Sequence, residues 1–178
     1  MSTRKYAFSW ALMGDIDKAR PNLGPNVRLE VYRLMQFCFR DILEDRYGSE
    51  EVDRIFYEAG SLAGRHFYKN VLAPEPESFN DLVIRLKHIL RDMGIGILKV
   101  EEAAFDTLTF TLSVSEDLDC SGLPELGYNI CLYDEGFLAG LLEAFTGRSF
   151  EVKEVDCWCT SDTTCRFHAR PSEGIRHF

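Results

Sequence analysis

Between Val27 and Tyr47 the apolar residues Val31, Leu34, Met35, Cys38 and Ile42 recur three or four positions apart. That spacing places side chains on one face of an α-helix, and Gly48 closes the run. A second helix is predicted from about Ser49, with Val52, Ile55, Phe56, Ala59, Ala63 and Phe67 along one side. Within it, Ala59-Gly60 and Ala63-Gly64 repeat small residues every four positions, a stripe on which another backbone can pack closely. Pro74 and Pro76 interrupt the pattern, and Ser78-Phe79-Asn80-Asp81 restarts it as a capping box, in which Ser and Asp oxygens satisfy free N–H groups. This third helix runs to Met93 with Leu82, Leu86, Ile89, Leu90 and Met93 inward, and stops at Gly94.

The period then falls to two. Ile95–Phe105 and Thr107–Val114 read as a hairpin whose second strand sets Leu108, Phe110, Leu112 and Val114 on one face. Thr107, Thr109, Thr111 and Ser113 occupy the other, the pattern of an antiparallel sheet wet on one side. Residues 115–127 form an acidic loop, expected to be able to shift position, with an exposed Cys120. A fourth helix, about Tyr128–Thr146, turns Ile130, Phe137, Leu138, Leu141 and Phe145 inward, with Cys131 at its edge facing the sheet. Its Gly136 and Gly140 each cost about 1 kcal/mol relative to Ala, which close packing on the sheet would offset. After Gly147, strands at Phe150–Trp158 and Thr164–Arg170 complete an order of three helices, two strands, one helix and two strands. The fold class is α+β, a four-stranded antiparallel sheet covered mainly on one face by helices. Residues 1–26, with Phe8, Trp10, Leu12 and Met13 ahead of a turn-rich stretch, read as an arm. Residues 27–178 read as a single domain.

Composition narrows the function. The 178 residues are 46% hydrophobic and 28% charged, the balance of a globular chain with a real core. A formal net charge of −9 argues against nucleic acid and anionic membrane surfaces as partners. No apolar run reaches the ~20 residues of a membrane span, and the N-terminus lacks a signal-peptide pattern. Six cysteines without such a pattern point to a reducing cytoplasm, where metal binding is favoured over disulfides.

Three of those cysteines, Cys157, Cys159 and Cys165, fall within nine residues, and Cys131 lies upstream. Cys157 and Cys165 flank the polar turn Ser161-Asp162-Thr163-Thr164, so a hairpin would bring their sulfurs together. Glu154, three positions before Cys157, can add a carboxylate oxygen, and four such donors make a structural zinc shell. The same pattern is compatible with a disulfide or with buried thiols acting as small hydrophobes. Cys159 competes in spacing with Cys157, although on an extended strand the two point to opposite faces.

The run Cys131…Gly136…Gly140…Phe145-x-Gly147-Arg148…Glu154-x-x-Cys157, followed by Cys165-Arg166-Phe167…Arg170-Pro171, resembles the C-terminal half of the 4-vinyl reductase domain family. Its members include small stand-alone proteins, a protein linked to bacteriochlorophyll synthesis and the sensor domains of phenol-responsive activators. The resemblance implies a zinc ion held by Cys131, Glu154, Cys157 and Cys165. It also implies a fold shared with vesicle-tethering subunits and haem-based nitric-oxide sensors, dimerisation through helices, and a ligand pocket between helices and sheet. By the same resemblance, Phe105, Leu108, Phe110, Leu112 and Tyr133 are the ligand-contacting positions.

No nucleotide-binding, P-loop or nucleophile-elbow motif occurs, and His66, His88, His168 and His177 show no triad-like spacing. The expected function is therefore a non-catalytic, zinc-stapled module that binds a small hydrophobic, aromatic or tetrapyrrole-like molecule. It would act as a homodimer and signal through a downstream protein. An enzyme or accessory subunit in porphyrin vinyl reduction is the alternative, and a ligand-free dimeric scaffold the third.

Overall fold

The computed structural model describes residues 5–172, and the chain divides between Phe39 and Arg40 into two compact units. The first unit holds a 3-10 turn at Trp10–Met13, helix α1 (Ile16–Ala19) and the start of α2 (Leu29–Tyr47). The Asp15 carboxylate caps α1 by accepting the Lys18 N–H at 3.2 Å.

The second unit continues from the end of α2 through α3 (Ser49–Val71), α4 (Phe79–Asp92), β1 (Ile97–Ala104) and β2 (Thr109–Ser115). It finishes with α5 (Leu132–Thr146), β3 (Phe150–Asp156) and β4 (Cys165–Pro171). The predicted α+β class is found, with one antiparallel sheet of strand order β1-β2-β4-β3. Strand β2 thus lies inside the sheet and pairs with β4 in the register Phe110↔Ala169, Leu112↔Phe167, Val114↔Cys165. Helix α4 starts where expected: Ser78 Oγ accepts the Asp81 N–H at 3.2 Å, and the Asp81 carboxylate accepts the Glu77 N–H. The core gathers Leu82, Leu86 and Leu90 of α4, Leu138, Leu141 and Leu142 of α5, and Leu98, Leu112, Val152 and Phe167 of the sheet.

Helices α3 and α5 meet backbone to backbone. A Cβ on Gly60 would fall on the Tyr133 carbonyl and one on Gly64 on the Phe137 carbonyl. Reciprocally, Gly136 faces the Tyr57 carbonyl and Gly140 that of Ser61. The small-residue stripe of α3 therefore found a partner backbone, as its spacing implied. The partner of Gly136 and Gly140 is α3 and not the sheet: two glycine pairs at i, i+4 interlock only with another helix of matching pitch.

Several element limits differ from those expected. The β1–β2 turn takes in Phe105 and Leu108, so β2 begins at Thr109; Leu108 has a positive φ of 56°, incompatible with a strand. Helix α5 begins at Leu132, four residues after the predicted start. The polar face of β2 is less wet than alternation suggests, because Ser113 is buried between neighbouring strands.

Candidate metal centre and aromatic cluster

Strand register brings the thiols to one end of the sheet. Cys165 opens β4 opposite Val114 near the end of β2, and Cys157 follows β3 directly. Cys131 is the N-cap of α5. Its N–H donates to Glu154 Oε2 at 3.3 Å, and its carbonyl accepts the Glu135 N–H of the first helical turn at 3.0 Å. Glu135 closes the junction by accepting from the Glu154 N–H at 2.8 Å and from Lys153 Nζ at 3.1 Å. Beyond Cys157 the chain does not continue as a strand but curls into a 3-10 turn, Trp158–Thr160. Cys157 and Thr160 bond reciprocally across that turn.

Four sulfurs converge: Cys120, Cys131, Cys157 and Cys165 are all buried, and their Sγ atoms lie within 4.8 Å of one another. The Cys120–Cys165 separation is 3.1 Å, and Cys131 stands 3.9 Å from both Cys157 and Cys165. None is a disulfide. This set could hold a metal ion. Three of the residues expected as ligands are in it; its fourth member is Cys120, which was expected to be exposed and is fully buried. Glu154 sits alongside, also buried, with Oε1 lacking any hydrogen-bond partner. Cys159 is buried in the 3-10 turn and stands outside the four.

The charge balance of this region is lopsided. The thiols of Cys120, Cys131 and Cys165 point at Cys157 and hold its pKa well below the ordinary thiol value. Hydrogen bonding with Cys120, Cys157 and Cys165 pushes Cys131 up. Burial, reinforced by Cys165 and Cys157, raises the Glu154 carboxyl to about 10. Burial and the charge of Asp119 lift Asp117 to about 6, and burial followed by Asp117 and Asp119 raises Asp134. Asp117, Cys131 and Asp134 form a second group whose donor atoms lie within 4.8 Å of one another. So many buried acceptors in one place favour a cation.

The expected ligand-contacting residues divide. Phe110 is 1% exposed and stacks on Phe79, with ring centres 4.6 Å apart and nearly parallel, and on Phe150 at 6.1 Å. Phe105 meets both Phe79 and Phe110 edge-on and leaves 59% of its own surface open to solvent. Phe145 and Tyr68 extend the cluster across the ends of α5 and α3. Leu112 is core, and Leu108 sits in the turn beside the cluster's strand. Tyr133 belongs to the other end of α5, where burial and the charges of Asp119 and Asp134 push its hydroxyl up to about 12. A separate cleft of about 350 Å³ lies between α3 and β3, walled by Asp53, Glu58, Glu151 and Lys153. Sequence reasoning named none of these four, because charges on separate elements leave no joint signal. His88 is exposed, and His177 lies outside the described residues. No described helix is long and apolar enough to cross a membrane.

Residues 110–171 match the V4R domain model. The chain is similar to the uncharacterized protein MJ1642 of Methanocaldococcus jannaschii, 24% identical over 148 residues, which cover 83% of this chain and 80% of that one. In fold it is similar to the phenol-responsive sensory domain of the transcription activator PoxR, solved with phenol. That match has a TM-score of 0.63 at 14% identity, covering 84% of this chain and 77% of the other. A vinyl-4-reductase family protein from M. jannaschii superposes with a TM-score of 0.62 at 20% identity, over 94% of this chain and 99% of its own.

Proposed function

We propose that the protein is a small-molecule-binding, sensor-type module whose thiol cluster carries a structural zinc ion. The observation that carries the reading is the aromatic cluster. Phe79, Phe105, Phe110, Phe145, Phe150 and Tyr68 cluster where α3, α4, α5 and the sheet meet, and Phe105 brings the cluster to the surface. Such a cluster offers flat, apolar walls with few hydrogen-bonding demands, suited to an aromatic or otherwise hydrophobic guest. The phenol bound to the PoxR domain supports the same class of ligand. On this reading Phe105, Phe110, Leu108 and Leu112 line or border the guest's site. Tyr133, at the thiol end of α5, lies away from that site.

Zinc suits the cluster because thiolate is its preferred soft ligand, and four protein donors leave no position for substrate. Its role is thus to staple α5 to the β3–β4 hairpin, and the module itself is not catalytic. Helix α2 buries none of its residues, and its apolar Ile42 and Tyr47 are exposed, which supports a homodimer formed through this helix. A ligand signal would then leave through a partner protein.

Thermal melts with a panel of phenols, larger aromatics and porphyrins test the ligand class. At least one compound should raise Tm, and Phe105→Ala should weaken that shift while leaving the unliganded melt nearly unchanged. A panel that shifts nothing removes the ligand reading. Light scattering at micromolar concentration should give twice the chain mass; a monomer mass removes the dimer.

A further inference from the structure

Five donors crowd a site that needs four: Cys120, Cys131, Cys157, Cys165 and Glu154. The family resemblance implies the carboxylate as the fourth ligand, but the geometry favours a different one. We propose that Cys120 supplies the fourth ligand of an all-thiolate site for a soft divalent metal ion, with Glu154 outside the coordination shell. The proposal rests on the zinc-site reading above and changes its ligand set.

The first argument is shape. Four sulfurs at about 2.3 Å from a tetrahedral zinc stand about 3.8 Å from one another. Cys131 already stands 3.9 Å from both Cys157 and Cys165. Cys120 completes the group within 4.8 Å, and Glu154 is not part of that group. A shift of under 1 Å would open the 3.1 Å Cys120–Cys165 edge to the tetrahedral length.

The second argument is that Cys120 is held in place. Its connection between β2 and α5 was expected to be a loop able to shift, but it is tied down along its length. The Asp117 carboxylate accepts the N–H groups of Asp119 at 2.8 Å and Cys120 at 3.1 Å, folding the segment inward. Leu118 N–H reaches the Ile95 carbonyl at 2.8 Å. Leu126 and Gly127 both donate to the Cys159 carbonyl, and Trp158 Nε1 donates to the Leu123 carbonyl at 2.9 Å. The connection is therefore bonded to the very turn that follows Cys157, and Cys120 is fully buried beneath it. A fixed, buried thiol beside three others loses little freedom on coordination.

The third argument is the position of Glu154. Oε2 is occupied by the Cys131 N–H at 3.3 Å; Oε1, buried without a partner, is the atom that would ligate if the carboxylate and not Cys120 closed the shell. A carboxylate that bonds the backbone of a ligand residue orients that ligand from outside the shell, the arrangement common around metal sites. Between a thiolate and a carboxylate of equal charge, zinc takes the softer donor when both are in reach.

X-ray absorption on the zinc-loaded full-length protein tests this without any substitution. Four sulfurs at about 2.3 Å are expected; three sulfurs with one oxygen at about 2.0–2.2 Å overturns the proposal while leaving the zinc reading intact. Glu154→Gln should keep one zinc per chain and the four-sulfur signal, and loss of either overturns it. Cys120→Ser should lower the sulfur count to three and weaken zinc retention against a chelator at least tenfold. Cys38→Ser, at an exposed thiol, should change neither. If Cys120→Ser does not fold, cobalt substitution of the wild-type protein gives the same count, from the thiolate-to-metal charge-transfer intensity relative to Glu154→Gln. A protein that takes up no metal overturns both the proposal and the reading it rests on.

Discussion

Gly140→Ala probes the α3–α5 contact directly. In an exposed helix this change stabilises by about 1 kcal/mol, because Ala costs less backbone entropy. Here the added methyl would meet the carbonyl oxygen, carbonyl carbon and Cα of Ser61, all backbone atoms that cannot rotate aside. The two helices must separate, loosening the interlocked row of Gly60, Gly64 and Gly136 as well. Overpacking of a filled interior costs typically ~1–3 kcal/mol, and an obstacle of main chain puts the cost at the upper end. Against the ~1 kcal/mol helical gain, the net loss is about 2 kcal/mol. At roughly 2–4 °C per kcal/mol for a chain of this size, Tm should fall by about 4–8 °C. Urea unfolding monitored by far-UV circular dichroism, with a parallel thermal melt, measures it. A Tm equal to or above that of the unsubstituted protein would show that the helices have room between them and would refute the interlock.

Cys157→Ser should abolish metal retention and lower stability by several kcal/mol, since metal binding and folding are one equilibrium; elemental analysis showing one metal per chain in this variant contradicts the site. Phe110→Ala should cost about 3–5 kcal/mol, because the ring is fully buried between Phe79 and Phe150 and its removal leaves a void. A loss under 1 kcal/mol in denaturant melts would mean that the cluster is loosely filled. The Glu135 carboxyl is pushed above its ordinary 4.5, first by burial, so the folded state binds its proton more tightly than the unfolded chain. Its contribution is therefore largest below 4.5 and is lost as pH rises through the raised folded value. Glu135→Gln should flatten that part of the stability–pH curve, and identical slopes for the two proteins refute the assignment.

The features legible in the sequence were those carried by local repetition. The 3.6-residue period located α2 to α5, the two-residue period located β2, and the Ser78–Asp81 cap gave the start of α4 nearly to the residue. The meeting of Cys157 and Cys165 was legible because a hairpin constrains where they go, whereas Cys131 was named through the family resemblance. Cys120 escaped for the opposite reason. It lies in an acidic, glycine-containing connection that looks solvated, and it is buried by bonds to Ile95, Cys159 and Trp158, residues 25 to 39 positions away in sequence. Leu108 was assigned to the strand because its side chain fits the alternation; the turn claims it through a backbone conformation that side-chain pattern does not encode. The partner of Gly136 and Gly140 was misread because a glycine stripe announces close approach without naming what approaches.

Helix α5 is capped by Cys131 and carries Phe145 in its last turn, and β3 runs back from Phe150 to Asp156, beside Cys157. At 1.5 Å per residue, the 15 residues of the helix hold the sulfur end and the aromatic end about 22 Å apart. Perturbations at such a distance, with no shared neighbour, ordinarily sum without interaction. The helix thus acts as a strut between the thiol cluster and the aromatic cluster. Were a metal bound at one end and a guest at the other, loading either would be expected to leave the affinity of the other unchanged.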